Sequence, residues 1–207
     1  MTIVERSPLS RERIADTALR LIGERGLEQL SMRKLGAELG VEAMSLYNHV
    51  TNKDDLLDAV ADLLYGKVLA EYGVPSGDWR AKARHLAASY VSVATTHREA
   101  FPLLLNRPPT VMEGLRFLER VVAIFDDVTD DLRTAALAFD VASNWVIGMI
   151  VGRLSVDFEQ PEVPQVEGFE RVEAFRRALQ VDLGRRERFD EGLEAVLDGI
   201  EARYLRR

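Results

Sequence analysis

Apolar residues recur along this chain at spacings of three and four almost everywhere, and strand-like alternation is hard to find. After a candidate cap at Ser10, the positions Ile14, Ala15, Ala18, Leu19 and Ile22 run on to Gly26, which predicts a first helix with a glycine stop. Ser31 opens a second, with Leu35 and Leu39 as its inward row and Gly40 as its end. A third, of about two turns, is expected from Glu42 to about Asn48. Asn52 then caps a longer helix, with Asp54 and Asp55 in its first turn and Leu56, Leu57, Val60, Leu63 and Leu64 as its apolar side.

Gly73, Pro75 and Gly77 close that helix, and a new stripe through Trp79, Ala83, Leu86, Ala87 and Tyr90 begins after Asp78. Breaks near Pro102 and at Pro108 and Pro109 separate further helices. Thr110 is the expected cap of the one that carries Leu115, Leu118, Val122 and Phe125. The apolar run AALAFDVASNWVIGMIVGRL (135–154) is interrupted by Asp140, Ser143 and Asn144, so it reads as a helix buried in a bundle rather than a membrane span. Prolines, charges and weak periodicity make 155–187 a mobile connection with one short helix. A clean stripe returns at Phe189, Leu193, Val196, Leu197, Ile200 and Tyr204. The expected fold class is all-α, with a small N-terminal helix-turn-helix head of three helices and a larger C-terminal helical bundle.

Composition adds exclusions. Of 207 residues, 47% are apolar and 29% charged, enough for a conventional core. Cysteine is absent, which removes disulfides, thiolate nucleophiles, Cys-based zinc sites and iron–sulfur clusters. The segment MTIVERSPLSRERI carries charges where an export signal needs an apolar stretch, so a cytoplasmic location with no membrane partner is expected. The net charge is −7, yet residues 1–50 are neutral, with seven Arg or Lys against seven Asp or Glu. The acidic excess therefore lies downstream, and a neutral head on an acidic body is compatible with a small DNA-reading module.

The stretch GVEAMSLYNHVTNK (40–53) holds the most informative chemistry. Two short helices about a glycine turn form a helix-turn-helix, whose second helix fits the major groove of DNA. With Leu46 turned inward, helical rotation places Met44 and Asn48 nearly opposite, flanked by Ser45 and Tyr47. Asn pairs with an adenine edge, Ser with a base or phosphate, and Ala43 or Met44 packs on a thymine methyl. Tyr47, His49 and Lys53 stand beside the helix start at Asn52, where phosphate oxygens find free backbone N–H groups. A cation at that end opposes the helix dipole unless an anion compensates it, and Asp54 and Asp55 are near enough in sequence to do so.

The run GLEQLSMRKLGAELGVEAMSLYNHVTNKDDLLDAV (26–60) closely resembles the DNA-binding head of the tetracycline-repressor (TetR) family of bacterial transcriptional regulators, and LYNHVTNKDDLL is similar to the tetracycline repressor's own branch. The resemblance implies a homodimer on the two half-sites of a palindromic operator in double-stranded DNA, released when a small molecule enters the C-terminal domain. It implies domains at 1–52 for DNA and 73–207 for ligand and dimerisation, with a connecting helix at 53–72. Carried over residue by residue, the DNA-contacting positions are Arg33, Glu42, Ala43, Met44, Ser45, Tyr47, His49 and Lys53, beside Asn48 from the rotation argument. Ala43 and Met44 stand where the tetracycline repressor has glutamine and proline, which alters the expected operator. The helices near 133–154 and 189–205 are expected to pair with their twofold mates.

The family expectation for an effector site falls on Tyr90, His97, Phe101, Leu104, Asn106, Met112, Phe117, Phe139, Asn144, Trp145 and Met149, an apolar set with a few polar members. Leu69 and Leu103 replace the histidines that serve drug and metal in the tetracycline repressor, so magnesium–tetracycline is not the expected effector. No metal, cofactor or enzymatic activity is expected: H-E-x-x-H, G-x-S-x-G and P-loop patterns do not occur, and DDVTDDL (126–132) lacks EF-hand spacing. A second class, a helical ligand-binding or scaffolding protein whose head has lost DNA affinity, is favoured by the neutral head and by the apolar Ala43 and Met44.

Overall fold

The computed structural model describes residues 8–155, 168–180 and 185–205, with side chains described in 8–152, 168–175 and 188–205. The helices are α1 (Arg11–Arg25), α2 (Met32–Leu39), α3 (Ala43–Leu46), α4 (Lys53–Tyr72), α5 (Trp79–Thr96), α6 (Phe101–Asn106), α7 (Met112–Phe125), α8 (Leu132–Ser155), α9 (Glu170–Gln180) and α10 (Arg185–Ile200). No strand occurs among the described residues. The chain packs as two units, 1–132 and 133–207. The α9 helix falls where one short helix is expected within 155–187; residues 156–167 and 181–184 of that stretch lie outside the described residues.

In the first unit the caps follow the side-chain chemistry. The Ser10 hydroxyl accepts the N–H of Arg13, Ser31 that of Lys34, Asn52 that of Asp55 and Asp78 that of Ala81. Gly40 ends α2 in the left-handed region at φ 69°, where a Cβ is penalised. Gly36 serves a different need: a Cβ there would lie 2.9 Å from the Val41 carbonyl oxygen and 3.1 Å from the Ala43 nitrogen. Its missing side chain lets α2 cross the start of α3. Leu35 and Leu46, both fully buried, fill the crossing, each contributing about 1.5–3 kcal/mol of burial.

The α4 helix is the axis of this unit, packed against α1 on one side and α5, α6 and α7 on the others. Thr110 does not cap α7. The residue ahead of α7 is Val111, which offers no cap, and the carboxylate of Asp62 on α4 supplies it instead, accepting the N–H groups of Glu113 at 2.8 Å and Gly114 at 3.0 Å. Gly114 lies so close to Pro109 that a Cβ would come within 2.7 Å of its Cα.

In the second unit, Trp145 on α8 stacks on Phe189 of α10 with ring centroids 5.4 Å apart, and its ring covers Gly192, where a Cβ would fall 2.4 Å from Trp145 Cζ2. The single chain does not cover α8 on every side. Ala135, Ala138, Val146 and Ile150 are buried, but Leu137, Val141 and Val151 are exposed on the other side. By length and composition Leu132–Gly152 is apolar enough to cross a membrane, and few of its residues are buried. Single-chain packing covers one face of a helix whose sequence is apolar on nearly all of them.

Candidate nucleic-acid interface

The α3 helix is shorter than its two expected turns. It holds regular geometry only over Ala43–Leu46 and continues as a tighter turn, with Tyr47, Asn48 and His49 N–H groups bonded three residues back and the Val50 N–H returning to Leu46. Leu46 and Val50 are 0% and 1% exposed, so the middle and the end of this segment are pinned by burial. Of the residues around them, Met44 is 71% exposed and Tyr47 42%, Asn48 is exposed, and Ala43, Ser45 and His49 are half-buried. Arg33 on α2, Glu42 ahead of α3 and Lys53 at the first position of α4 are exposed as well. A thioether, a phenol, an amide and two cations are thus exposed in and around the helix-turn-helix, groups of the kinds that contact base edges and phosphates.

The acids beside Lys53 are committed elsewhere. Asp54 Oδ1 accepts Arg107 Nη2 at 2.9 Å, while the other guanidinium nitrogen reaches the Asp54 carbonyl at 3.1 Å and the Asp58 carboxylate. Asp55 Oδ1 accepts Arg11 Nη2 at 2.5 Å and its Oδ2 accepts Arg11 Nη1 at 3.0 Å. The same Oδ2 takes the Thr51 N–H at 2.7 Å and the Thr51 hydroxyl at 3.1 Å. The hydrogen-bonded guanidinium of Arg11 is the main cause holding the Asp55 carboxyl well below the usual carboxylate range. Lys53 is left facing solvent at a helix N-terminus, in the company of the first α4 backbone N–H groups, a site that favours an anion from outside.

Comparison with known proteins matches residues 14–60 to "Bacterial regulatory proteins, tetR family" and residues 74–204 to "Tetracyclin repressor-like, C-terminal domain". The chain belongs to the TetR family of transcriptional regulators. Tetracycline repressor protein class D of Escherichia coli is 29% identical over 205 residues, covering 94% of this chain and 87% of that protein. Apo ActR from Streptomyces coelicolor superposes with a TM-score of 0.80 at 29% identity, covering 95% of this chain and 96% of ActR. ActR in complex with actinorhodin superposes at 0.77 with 27% identity, covering 95% and 98%. The TetR-like all-α fold, helix-turn-helix head first, is thereby established.

The TetR-family effector expectation meets a partly assembled set. Within the first unit Tyr90, Phe101 and Phe117 come together: Tyr90 lies 6.3 Å from Phe101 and 6.1 Å from Phe117, between centroids. Tyr65 of α4 joins them at 5.1 Å from Phe117, a member that sequence reading missed because it sits on the connecting helix. Burial pushes the Tyr65 phenol up to about 12, and Tyr90 is raised by burial and by its neighbour Tyr65. Leu104 is buried beside Leu103 on α6. Burial, with Lys67 acting the same way, lowers the His97 imidazole below its ordinary value, which favours the neutral ring. Asn106 and Met112 are exposed, and the Asn106 amide donates to the Pro102 carbonyl. In the second unit Phe139, Trp145 and Met149 are half-buried, and exposed Asn144 donates to the carbonyl and carboxylate of Asp140.

Proposed function

We propose that this TetR-family protein is a repressor that binds a palindromic operator as a homodimer and leaves it when a small molecule occupies its C-terminal part. Residues 1–52 are the reading head, 53–72 the connector and 73–207 the effector and dimerisation part. The observation that carries this reading is Lys53, set at the α4 N-terminus while Asp54 and Asp55 bond Arg107 and Arg11. A DNA phosphate satisfies both the ammonium and the helix end. Met44, Ser45 and Asn48, with Ala43 and Glu42 at the leading edge, then meet base edges; Tyr47, His49 and Arg33 flank them toward the backbone.

Homodimerisation is supported by the outer side of α8, where Leu137, Val141 and Val151 are exposed and a Cβ at Gly148 or Gly152 would meet nothing within 4 Å. A second α8 can approach closely there, with the two α10 helices completing the interface. Two recognition helices about 34–36 Å apart, or a multiple of it, then meet successive major grooves. The effector is an apolar aromatic molecule, supported by the Tyr65, Tyr90, Phe101 and Phe117 ring group and by the actinorhodin complex of ActR. Half-buried Leu69 and buried Leu103 offer no ligand for a chelated metal, which argues against magnesium–tetracycline. Arg107 joins the end of α6 to Asp54 and Asp58 beside Lys53, so an effector that favours another placement of α6 also biases α4. The protein acts in the cytoplasm, on double-stranded DNA.

Titration against DNA upstream of its own gene, with sedimentation to give stoichiometry, tests this reading. Two protomers per site, dissociated by an aromatic compound that also raises the melting temperature, is the expected result. Absence of any preferred duplex points instead to a helical ligand-binding or scaffolding protein.

A further inference from the structure

The α3 helix has little support of its own. Four residues of regular helix have no independent stability, and the reading residues continue past it into the turn at Tyr47–His49. Something outside the segment must hold it at the correct angle to α4, because Lys53 and the α3 side chains must engage one duplex together. Buried Leu46 and Val50 fix its depth in the head. They set which side of the segment is buried, and the turn that follows it is tied to α1 and α4 by polar contacts.

One side chain supplies those contacts. Arg11, at the start of α1, donates from Nη1 to the His49 carbonyl at 3.3 Å and to Asp55 Oδ2 at 3.0 Å; from Nη2 it donates to the Asp55 carbonyl at 3.1 Å and Oδ1 at 2.5 Å. Asp55 passes the restraint on, accepting the Thr51 N–H and hydroxyl, while its own N–H is held by Asn52. One guanidinium thus joins α1, the turn after α3 and the first turn of α4. A planar fork with donors on separate nitrogens is needed for this; a lysine ammonium carries the charge without the geometry.

We infer that Arg11 is a positioning residue for operator reading, acting through the His49 carbonyl and Asp55 and not through DNA. The inference rests on the DNA-reading role of the head. Its Nη1 and Nη2 groups are both engaged within the protein and its charge is paired with Asp55, so it is expected to add little to counterion release, in contrast to Lys53.

The test uses full-length wild type, Arg11→Ala, Arg11→Lys, Asp55→Asn and the double variant Arg11→Ala/Asp55→Asn. Each is first shown to retain helix content, then titrated at two salt concentrations against a duplex selected by the wild type from a random pool and against a scrambled duplex. Arg11→Ala is expected to weaken the selected duplex by about tenfold, the equivalent of about 1.4 kcal/mol, with scrambled binding and the salt slope unchanged. Arg11→Lys restores little, and the double variant is no weaker than Arg11→Ala alone. Amide exchange of residues 49–55 in the free protein is expected to accelerate in Arg11→Ala. A folded Arg11→Ala that binds the selected duplex like wild type overturns the inference. So does an equal loss on both duplexes with the salt slope reduced by about one, which makes Arg11 itself a phosphate contact. If the wild type selects no duplex, the functional reading fails; unchanged amide exchange sinks the positioning role on its own.

Discussion

Asp62, halfway along α4, caps the N-terminus of α7 by accepting the backbone N–H of Glu113 at 2.8 Å, and that of Gly114 beside it. Caps of this chemistry contribute roughly 1 kcal/mol. Asp62→Ala should therefore lower the melting temperature of the protein by a few degrees, and Asp62→Asn, which keeps an acceptor oxygen, should lose less. Thermal unfolding followed by circular dichroism checks the order. Equal stability of Asp62→Ala and wild type would show that Glu113 and Gly114 are satisfied some other way.

Two glycines in the head should respond to alanine with opposite signs. At Gly36 a Cβ meets the Val41 carbonyl and the Ala43 backbone at 2.9–3.2 Å, contacts with no side chain to yield. Gly36→Ala should cost about 1–3 kcal/mol through overpacking and weaken DNA binding with it. At Gly23, exposed near the end of α1, a Cβ meets nothing within 4 Å, so Gly23→Ala should gain up to about 1 kcal/mol from helix propensity. Denaturant melts of the two variants give both signs in one experiment.

The second unit has its own probe in Trp145. Gly192→Ala would place a Cβ 2.4 Å from Cζ2 of that ring and push it off Phe189. In a Trp79→Phe background, Trp145 emission should shift toward longer wavelength in Gly192→Ala, and that variant should melt earlier. An unshifted emission would mean that the ring has room to move that the packing does not offer.

Acid should loosen the head through Asp55. Its folded pKa is depressed, chiefly by Arg11, so its contribution to stability is complete above the ordinary carboxylate range and is lost as pH falls through the folded value. The loss begins below about pH 4 and is absent in Asp55→Asn, whose stability should be lower at neutral pH but flatter with acid. Chemical denaturation from pH 6 down to about pH 3, compared between the two proteins, measures the difference.

Helix positions and caps were legible wherever the signal was local. Ser10, Ser31, Asn52 and Asp78 each announce a helix within four residues, and the apolar spacing of Leu35, Leu39 and Leu46 gives the buried side of the reading unit. The missed features join distant residues. Arg11 and Asp55 are 44 positions apart and Arg107 and Asp58 are 49 apart, and no periodicity marks such pairs. Thr110 misled for the same reason: a plausible local cap was displaced by Asp62 from another helix. The outward set from Met44 to Lys53 was readable because Leu46 fixes its rotation. Asp54 and Asp55 as partners for Lys53 were a reasonable sequence expectation that Arg107 and Arg11 remove. The unburied side of α8 lies beyond single-chain reasoning, since an apolar sequence favours cover for a surface without saying what covers it.

That the α3 segment and Lys53 read DNA is best tested by the salt dependence of binding for wild type and Lys53→Ala, on a preferred duplex from upstream of the gene and on an unrelated one. Lys53→Ala should weaken binding to both duplexes alike and reduce the salt slope by about one. A wild-type slope unchanged by the substitution, or no salt-dependent binding at all, would contradict it.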